Sequence, residues 1–497
     1  MRLFGLSLCL LLLAPITVSG EDKAAKPLME QVEAVRAFRN HLLADPYRPT
    51  YHFAIPEGIG VPFDPNGAIA WQGRNHLFYI YQDQGKFFFG HVSSLDNVHW
   101  RQHPPALFPT TDSPEKGIFS GNCFLNKQGE ATMIYHGVGA GNCIATSDDP
   151  LLEKWKKLPG NPIIPSPPKG SDKPYASWDP HGWLEGDTYY AIFGGKRAAI
   201  FKAKELNTWQ YVGDLLHHTL PGIDLREDIS CPDMFKLGGK DVLVCISHRL
   251  GTRYYVGEWK NEQFHPEIHE NLSWIDADYF APESFTDAKG RRIMWAWIIE
   301  HRDQKTKLAS GWTGEMALPR EITLGKDNRL RMKPIAELEQ LRYAPQNWSD
   351  LTVDGEKVLP FENTHGNAYE LLLEIAPQQA KQCGVKVCAS PDGAEQTLVF
   401  YDAVEKKLKI DTTKASLGEG TKKVEAGPFA LKDGEPLKLR VFVDNSVVEV
   451  FANDRQAAMR HVYPTRPDSL GVVLFSNGGP VKVREARGWK MFPSNAY

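Results

Sequence analysis

One helical pattern stands near the start of the chain, and the pattern of short strands fills almost all of the rest. Apolar residues recur at helical spacing over residues 27–43, and Pro46 and Pro49 then disfavour continuation of the helix. From about residue 67 to residue 330, runs such as HLFYIYQ and DVLVCISH alternate with turns rich in Gly, Asp, Asn and Pro. The pattern predicts a short helix followed by an all-β protein.

A coarse repeat organises these strands. Trp100, Trp155 and Trp209 each close a group of strands, 55 and 54 residues apart. A period of about 50 residues with about four strands is typical of a β-propeller. We therefore predict a five-bladed β-propeller over residues 51–340, with a sandwich whose tryptophans recur by chance as the alternative.

Beyond the propeller the pattern becomes a plain alternation of apolar and polar residues. A short helix is expected at residues 335–341. From residue 347 to residue 497, segments such as LKLRVFVD and SVVEVFAN alternate as in an antiparallel β-sandwich. We expect this C-terminal sandwich to bury its apolar faces and to brace the propeller.

The first 20 residues have the features of a secretory signal peptide. Arg2 precedes an apolar run, and small residues follow up to Gly20. The run is too short to span a bilayer, and no later run reaches the required ~18 apolar residues. We predict a secreted or periplasmic protein without a membrane partner, in which residues 21–50 form the helix and a connecting segment.

Composition narrows the range of functions. A formal net charge of -4 argues against nucleic acid as a partner, because a phosphate-binding surface carries a basic excess. Aromatic residues make up 11% of the chain. They either fill strand-rich cores or line a site for flat apolar faces.

Six cysteines follow the predicted leader, and their spacing does not suggest a dense disulfide framework. Cys383 and Cys388 lie too far apart on one strand to pair, because five strand residues span roughly 17 Å and a disulfide needs Cα atoms within about 7 Å. We predict mostly buried free thiols, with Cys123 and Cys143 as the pair to expect if a bridge forms.

Acidic residues near the start of successive blades indicate hydrolytic chemistry. Asp64 lies in VPFDPNG, Asp179 in SWDPHGW and Asp233 in CPDMF. Because the innermost strands of a propeller converge on one funnel, these side chains can meet there. Cleavage of a glycosidic bond with retention needs two carboxyl groups about 5–5.5 Å apart. An Asp before Pro is also common as a turn residue, so each acid alone has a structural alternative.

Four aromatic residues near these acids have a possible chemical use. Trp71, Trp178, Trp183 and Phe119 can stack on the apolar face of a sugar, and by excluding water they can raise the pKa of a neighbouring acid. The alternative is that they are core aromatics between blades.

The order of these motifs resembles glycoside hydrolase family 32, the invertases, levanases and inulinases. PYRPTYHF, DPNG, GHVSSLDNVHW, GIFSGN, WDP, CPDMF and ALPREITL follow one another as in that family, over nearly the whole chain. The resemblance implies a nucleophile at Asp64 and a transition-state stabiliser at Asp179. The candidate substrate-binding residues are Asn66, Trp71, Phe119, Ser120 and Trp178.

The sequence departs from the family where the sugar ring should sit. Phe63, Ile80, Phe89 and Trp178 stand where the family usually has Asn, Gln, Trp and Arg. The acid/base Glu that normally precedes Cys is replaced by Ser230. The hydroxyl pattern recognised by this pocket is therefore expected to differ from that of fructose.

A different residue must then supply the proton. We favour Glu227 in LREDISCPD, because its side chain is long and a bulge at the rim of a blade can re-aim it. Asp228 and Asp233 are the alternatives, and loss of the donor with retention of sugar binding is another.

Together these observations predict an exported glycoside hydrolase that cleaves β-fructofuranosidic bonds of sucrose or fructans with retention. Asp64 attacks, Glu227 acts as acid and then base, and Asp179 holds ring hydroxyls. This chemistry requires no cofactor and no metal. The alternatives are a propeller hydrolase acting on another furanoside or pentose glycan, and a non-catalytic carbohydrate-binding protein.

Overall fold

The computed structural model describes residues 25–58, 60–274, 278–362, 366–418 and 420–495. The predicted signal peptide, residues 1–20, lies outside the described residues. The helix expected at residues 27–43 is α1 (Ala25–Ala44), which ends directly before Asp45 and Pro46. Among the described helices, none is long and apolar enough to cross a membrane.

Five antiparallel sheets follow α1 and form the five blades of the predicted propeller. Blade I consists of β1 (Val61–Trp71), β2 (Arg74–Asp83), β3 (Lys86–Ser94) and β4 (Trp100–Leu107). Blade II consists of β5 (Ile118–Leu125), β6 (Ala131–Gly137), β7 (Gly141–Ser147), β8 (Lys156–Lys157) and β9 (Ile164–Pro165). The next short strands are β10 (Pro180–Glu185), β11 (Thr188–Phe193), β12 (Gly195–Lys196), β13 (Ala199–Glu205) and β14 (Thr208–Asp214). Blade III contains all of these except β12, which pairs with blade IV.

The last two blades complete the ring. Blade IV adds β15 (Asp228–Leu237), β16 (Lys240–Ser247), β17 (Gly251–Lys260) and β18 (Gln263–Asn271) to β12. Blade V consists of β19 (Tyr279–Thr286), β20 (Arg292–Ile298), β21 (Glu315–Met316), β22 (Arg320–Leu324) and β23 (Leu330–Pro334). The helix α2 (Gln304–Ser310) lies between β20 and β21. The innermost strands β1, β5, β10, β15 and β19 contact one another around the axis.

The middle strands of the blades are buried on both faces. Leu77, Phe78, Tyr79 and Ile80 of β2 have no exposed surface, because neighbouring blades pack on either side. This is the reason why blade sequences show continuous apolar runs rather than a strict alternation.

The C-terminal sandwich begins after a short 3-10 helix, η1 (Ala336–Leu341). Its strands are β24 (Arg342–Leu359), β25 (Ala368–Ala376), β26 (Gln382–Ala389), β27 (Gln396–Asp402), β28 (Lys407–Lys414), β29 (Val424–Pro428), β30 (Leu437–Asp444), β31 (Val447–Ala452), β32 (Gln456–His461) and β33 (Gly471–Met491). All ten belong to one hydrogen-bonded antiparallel sheet that is bent into two layers.

The bend occurs in the two longest strands. The first part of β33 pairs with β26, and its last part pairs with β25. Between these parts, Gly478 and Gly479 have φ of 77° and 148°, a region that favours glycine. Gly355 of β24, with φ of 81°, stands opposite this bend. One sheet can therefore supply both layers.

A buried ionic cluster joins the sandwich to the propeller. Glu449 of β31 accepts hydrogen bonds from Arg320 of β22 at 2.7 and 3.1 Å, and its other oxygen lies 3.2 Å from Nε2 of His52. Burial opposes protonation of His52, but its hydrogen bonds with Asp444 and Glu449 outweigh this effect and raise its pKa to about 9. The imidazolium and the guanidinium together compensate the buried carboxylates.

The ring of blades is closed by residues 50–55, which we call the clasp. Its backbone pairs with the last blade, where Met316 N–H donates to Phe53 at 2.9 Å. Asp444 of the sandwich accepts the backbone N–H groups of Thr50, Tyr51 and His52. The Asn495 side chain accepts from Ala54 N–H at 3.0 Å. The last blade, the sandwich and the C-terminal end of the described chain therefore meet at the clasp.

The six cysteines that the structure describes are all free thiols. Five are buried, and Cys231 is partly exposed. No disulfide joins Cys123 to Cys143, and the prediction of free, mostly buried thiols is confirmed for the described residues.

Candidate active site

Bulges in the inner strands aim side chains into the funnel. Near the start of β1, β5, β15 and β19 the pairing register shifts at residues 63–64, 120, 231–232 and 281–282. A bulge bends its strand and redirects the side chains beside it. In blade III, Asp179 stands just before β10 with a left-handed φ of 25°. All five blade openings thus carry an irregularity at the funnel.

Two carboxylates meet at these irregularities, on either side of a thiol. Cys231 Sγ lies 3.7 Å from Asp64 Oδ2 and 3.6 Å from Asp179 Oδ2. The backbone N–H of Cys231 donates to the same Asp179 oxygen at 3.0 Å. The Ser120 hydroxyl donates to Asp64 Oδ2 at 3.4 Å. Three of the predicted site residues, Asp64, Asp179 and Ser120, are therefore in one cluster.

Both carboxyl groups have raised pKa values. For Asp64, removal from bulk water and the charge of Asp179 raise the pKa to about 7. For Asp179, burial raises the pKa to about 6 although the N–H and thiol of Cys231 stabilise the carboxylate. Asp64 keeps part of its surface exposed. Asp179 is buried, and its Oδ1 has no hydrogen-bond partner in the described structure. An acceptor left open in this way is suited to a ligand hydroxyl.

Aromatic rings form a continuous chain around the acids, which we call the aromatic collar. It passes through all five blades, with neighbouring ring centroids 4.6 to 6.2 Å apart. Its members are Trp178, Phe119, Phe63, Phe87, Trp297, Phe280 and His248. Trp178 is the most open of the large apolar members, at 37% exposure. The collar contains the predicted residues Phe119 and Trp178, and it offers apolar faces to a ligand.

Two predicted substrate contacts are not supported by the geometry. Trp71 ends β1, seven residues from Asp64, which corresponds to roughly 23 Å of strand, and its indole N–H donates to the Asp149 carbonyl. Asn66 is buried, accepts from Gly121 N–H at 2.7 Å and donates to the Asp64 carbonyl at 2.8 Å. Asn66 therefore holds β1 and β5 in place.

Two aromatic residues expected near the acids belong to the core instead. Phe89 has no exposed surface and packs beside Tyr135. Trp183 packs against Tyr190 and Trp259. Their side chains stabilise the contacts between blades and are not members of the collar.

Known proteins share this organisation. The family description "Glycosyl hydrolases family 32 N-terminal domain" matches residues 52–334, and "Glycosyl hydrolases family 32 C terminal" matches residues 337–490. The chain belongs to glycosyl hydrolase family 32. Family membership makes it a glycoside hydrolase with the five-bladed propeller and C-terminal sandwich expected from the sequence.

Individual family 32 proteins are similar over most of the chain. Sucrose-6-phosphate hydrolase of Zymomonas mobilis is 27% identical over 519 residues, which cover 96% of this chain and 98% of that protein. Levanase of Bacillus subtilis is 30% identical over 487 residues, covering 88% of this chain and 69% of levanase. The crystal structure of fructan 1-exohydrolase IIa from Cichorium intybus has a TM-score of 0.81 at 22% identity, covers 91% and 98% of the two chains, and shows the same fold.

In this family 32 member, the Glu227 carboxylate is hydrogen-bonded to residues outside the acid pair. It accepts hydrogen bonds from Ser247 at 2.6 Å and from Arg249. Burial alone would raise its pKa, but these two partners hold the pKa below the ordinary value for Glu. No hydrogen bond in the described structure joins Glu227 to Asp64 or Asp179. The expected bulge exists, but it lies at residues 231–232 and leaves Glu227 outside it. The geometry therefore argues against Glu227 as the proton donor.

The two alternative donors differ in their surroundings. Asp233 pairs with Arg292 at 2.9 Å and accepts from the Ser284 hydroxyl, so both of its oxygens are engaged in a buried structural network. Asp228 accepts from the Ser230 hydroxyl at 2.7 Å and lies 2.5 Å from Nδ1 of His248. Of the two, only Asp228 is hydrogen-bonded to the residue that replaces the family's usual acid/base Glu.

Several residues of this site carry no local signal in the sequence. Trp297 and Phe280 belong to blade V, for which the sequence predicts no catalytic motif. His248 directly follows β16 of blade IV. Cys231 was recognised only as part of CPDMF. The contacts of these residues with the acids and the collar arise from the closure of the ring.

Proposed function

We propose that this family 32 protein is an exported β-fructofuranosidase that cleaves sucrose-like or fructan substrates with retention at the anomeric carbon. The observation that carries the proposal is the pair of carboxylates, Asp64 and Asp179, on either side of Cys231. Relatives named as a sucrose-6-phosphate hydrolase, a levanase and a fructan 1-exohydrolase support the substrate class. Export rests on the signal pattern of residues 1–20.

In the first step, Asp64 attacks the anomeric carbon. A bond forms between its carboxylate oxygen and that carbon, while the bond to the leaving oxygen breaks and the leaving oxygen takes a proton. In the second step, a water molecule loses a proton to a base, attacks the same carbon and releases Asp64. The unpartnered Oδ1 of Asp179 accepts a hydrogen bond from a ring hydroxyl while positive charge develops on the sugar.

The proton is supplied by the Asp228–His248 pair. A carboxylate that holds Nδ1 of an imidazole fixes the tautomer and stabilises the imidazolium, so that Nε2 can act as acid and then as base. The charge of Asp228 raises the pKa of Asp179 and the charge of His248 lowers it. Both groups are therefore within electrostatic reach of the acid pair. His248 is exposed, which leaves its ring accessible to a leaving group.

The aromatic collar favours a second candidate substrate. Phe63 and Trp178 stand where the family usually has Asn and Arg, so fewer side chains are available to bind hydroxyl groups at these positions. A furanoside other than a fructoside fits this change in lining. Cleavage of such a furanoside would use the same acids, and only the sugar would differ.

The test is a substrate panel measured with wild type and matched variants. Sucrose, inulin, levan and aryl furanosides are assayed with wild type, Asp64→Asn, His248→Gln and Glu227→Gln. Asp64→Asn is expected to lower kcat at least about a thousandfold on every substrate. His248→Gln should lower kcat about a hundredfold or more on sucrose, but far less on an aryl furanoside whose leaving group needs little protonation. Glu227→Gln serves as the matched control on the same segment.

Each part of the proposal has an outcome that would overturn it. Activity that survives Asp64→Asn removes the nucleophile assignment. An equal loss on both leaving-group classes in His248→Gln, or a leaving-group-dependent loss in Glu227→Gln, removes the assignment of the donor pair. In methanol, retention is expected to give the methyl β-furanoside, and the α-anomer would refute the double displacement. Hydrolysis of a non-fructose furanoside alone would select the second candidate.

A further inference from the structure

Three histidines lie together on the outer side of blade IV, away from the acid pair. His217 and His218 are in the linker between β14 and β15, and His265 is in the edge strand β18. Each imidazole offers one nitrogen, and the three nitrogens lie within 4.8 Å of one another. The two histidines of the linker are exposed, and His265 is half-buried.

The distances suit ligands of a single ion. Nδ1 of His217 and Nδ1 of His218 are 3.2 Å apart. Two nitrogens bound to one Zn²⁺ at 2.0–2.1 Å with tetrahedral angles are about 3.3 Å apart. The ring of His265 stacks on that of His217 with centroids 4.0 Å apart. A small opening of this stack would bring the third nitrogen to the same ion.

One ring nitrogen of the cluster is left without a partner in the part of the chain that the structure describes. Nε2 of His265 is buried and has no hydrogen-bond partner in the described structure. No ion pair among the described residues involves any of the three histidines. Neutral imidazole is the form that binds transition metals.

The backbone holds the three residues in place before any ion binds. His217 N–H donates to the Phe264 carbonyl, and Phe264 N–H donates to Leu215, both at 2.9 Å. Phe264 is fully buried and directly precedes His265. The linker and β18 are therefore fixed side by side, and only side-chain rotation is needed for binding.

We propose that His217, His218 and His265 form a Zn²⁺-binding site on the surface of blade IV. Three imidazoles without a carboxylate suit Zn²⁺ and related transition metals rather than Ca²⁺ or Mg²⁺. The fourth position is open to solvent or to an external ligand. A bound ion would tie β18 to the linker that leads to Asp228, so occupancy is expected to stabilise this blade.

The test uses the full mature chain without a polyhistidine tag, after removal of metal with a chelator. Calorimetric titration with ZnCl₂ is expected to give one ion per chain. Each of His217→Gln and His265→Gln should weaken binding about tenfold or more, whereas His99→Gln, an exposed histidine paired with Asp96 on blade I, should not. Co²⁺ should give the visible absorption of a four-coordinate ion with wild type only.

Two results of the binding experiments would overturn the proposal. One is a wild type that binds no Zn²⁺ up to millimolar concentration. The other is a His217→Gln/His265→Gln double variant with unchanged stoichiometry and affinity. If the double variant does not fold, the wild type still decides. Zn²⁺ must protect His217, His218 and His265 from diethylpyrocarbonate, as read by peptide mass spectrometry, while His99 stays reactive, and equal modification with and without Zn²⁺ refutes the site. None of these measurements depends on the sugar that is hydrolysed.

Discussion

The acid pair is expected to cost the folded protein stability, and Asp64→Asn should reveal this cost. In the folded chain the pKa of Asp64 is raised from 3.8 to about 7, through removal from bulk water and the charge of Asp179. The protonated form is therefore favoured by folding. The stabilisation that this form provides is present at low pH and is lost as pH rises from about 4 through about 7. Asn resembles the protonated acid at every pH.

The magnitude follows from the shift. Because a tenfold change in a protonation equilibrium corresponds to about 1.4 kcal/mol, the rise from 3.8 to about 7 corresponds to at most about 4 kcal/mol. At pH 8, Asp64→Asn should therefore be more stable than wild type by up to about 4 kcal/mol. At pH 4 the two proteins should be nearly equal. This is a large part of the 5–15 kcal/mol that stabilises a typical protein.

The measurement is urea unfolding at pH 4, 6 and 8, followed by tryptophan fluorescence and circular dichroism. Asp148→Asn serves as the control, because Asp148 is exposed and lies outside the funnel. The control shows what the loss of a carboxylate outside the funnel does to stability at each pH. If Asp64→Asn and wild type show the same change in stability between pH 4 and pH 8, the raised pKa and the reasoning from it are wrong. The variant also has no nucleophile, so gain of stability and loss of activity should occur together.

Other outcomes can be checked with single variants or with wild type. Glu449→Gln leaves Arg320 buried beside an uncharged amide and should cost about 3–5 kcal/mol of unfolding free energy, and an unchanged midpoint in urea would contradict this. Cys231 should resist iodoacetamide at pH 7 in the folded protein, because burial raises the pKa of its thiol. It should react in urea, and peptide mass spectrometry distinguishes the two cases. Trp178→Ala should raise KM about fivefold, since it removes about 1 kcal/mol of stacking, and a fall in kcat with constant KM would contradict a binding role. The chain without residues 1–20 should titrate six free thiols in urea with or without reductant.

The fold was predictable because it is built from repeated local patterns. Trp100 and Trp209 lie in the outermost strands β4 and β14, and Trp155 directly precedes β8. The spacing of the three tryptophans therefore matches the spacing of the outer edges of the first three blades. The pairing of β12 with blade IV and the bend of β33 had no such signal, because both depend on contacts between residues distant in the chain.

The position of a site residue was predictable only where a short sequence motif contains that residue. Asp64 and Asp179 keep their places in short motifs although the residue before each has changed, and both lie in the cluster at the funnel. Trp71 and Phe89 do not join the acid cluster, because neither nearness in sequence, for Trp71, nor a place in a family motif, for Phe89, fixes nearness in space. Seven strand residues carry Trp71 away from Asp64, and Phe89 lies on a strand whose faces are covered by neighbouring blades. Glu227 was favoured for its length, but its position in the turn before β15 pairs it with Arg249 instead.

The clasp has a consequence for how the molecule is made. Besides its pairing with the last blade, the clasp is held by hydrogen bonds to Asp444 and Asn495, which a ribosome makes only after all five blades. The blades can form one by one as they emerge, but the hydrogen bonds of the clasp are not complete before the sandwich is present. Chains cut short within the sandwich should therefore lose the arrangement of Asp64 and Asp179, although no catalytic residue is missing. In this protein, residues made after the last blade are a condition for chemistry performed by the first blade.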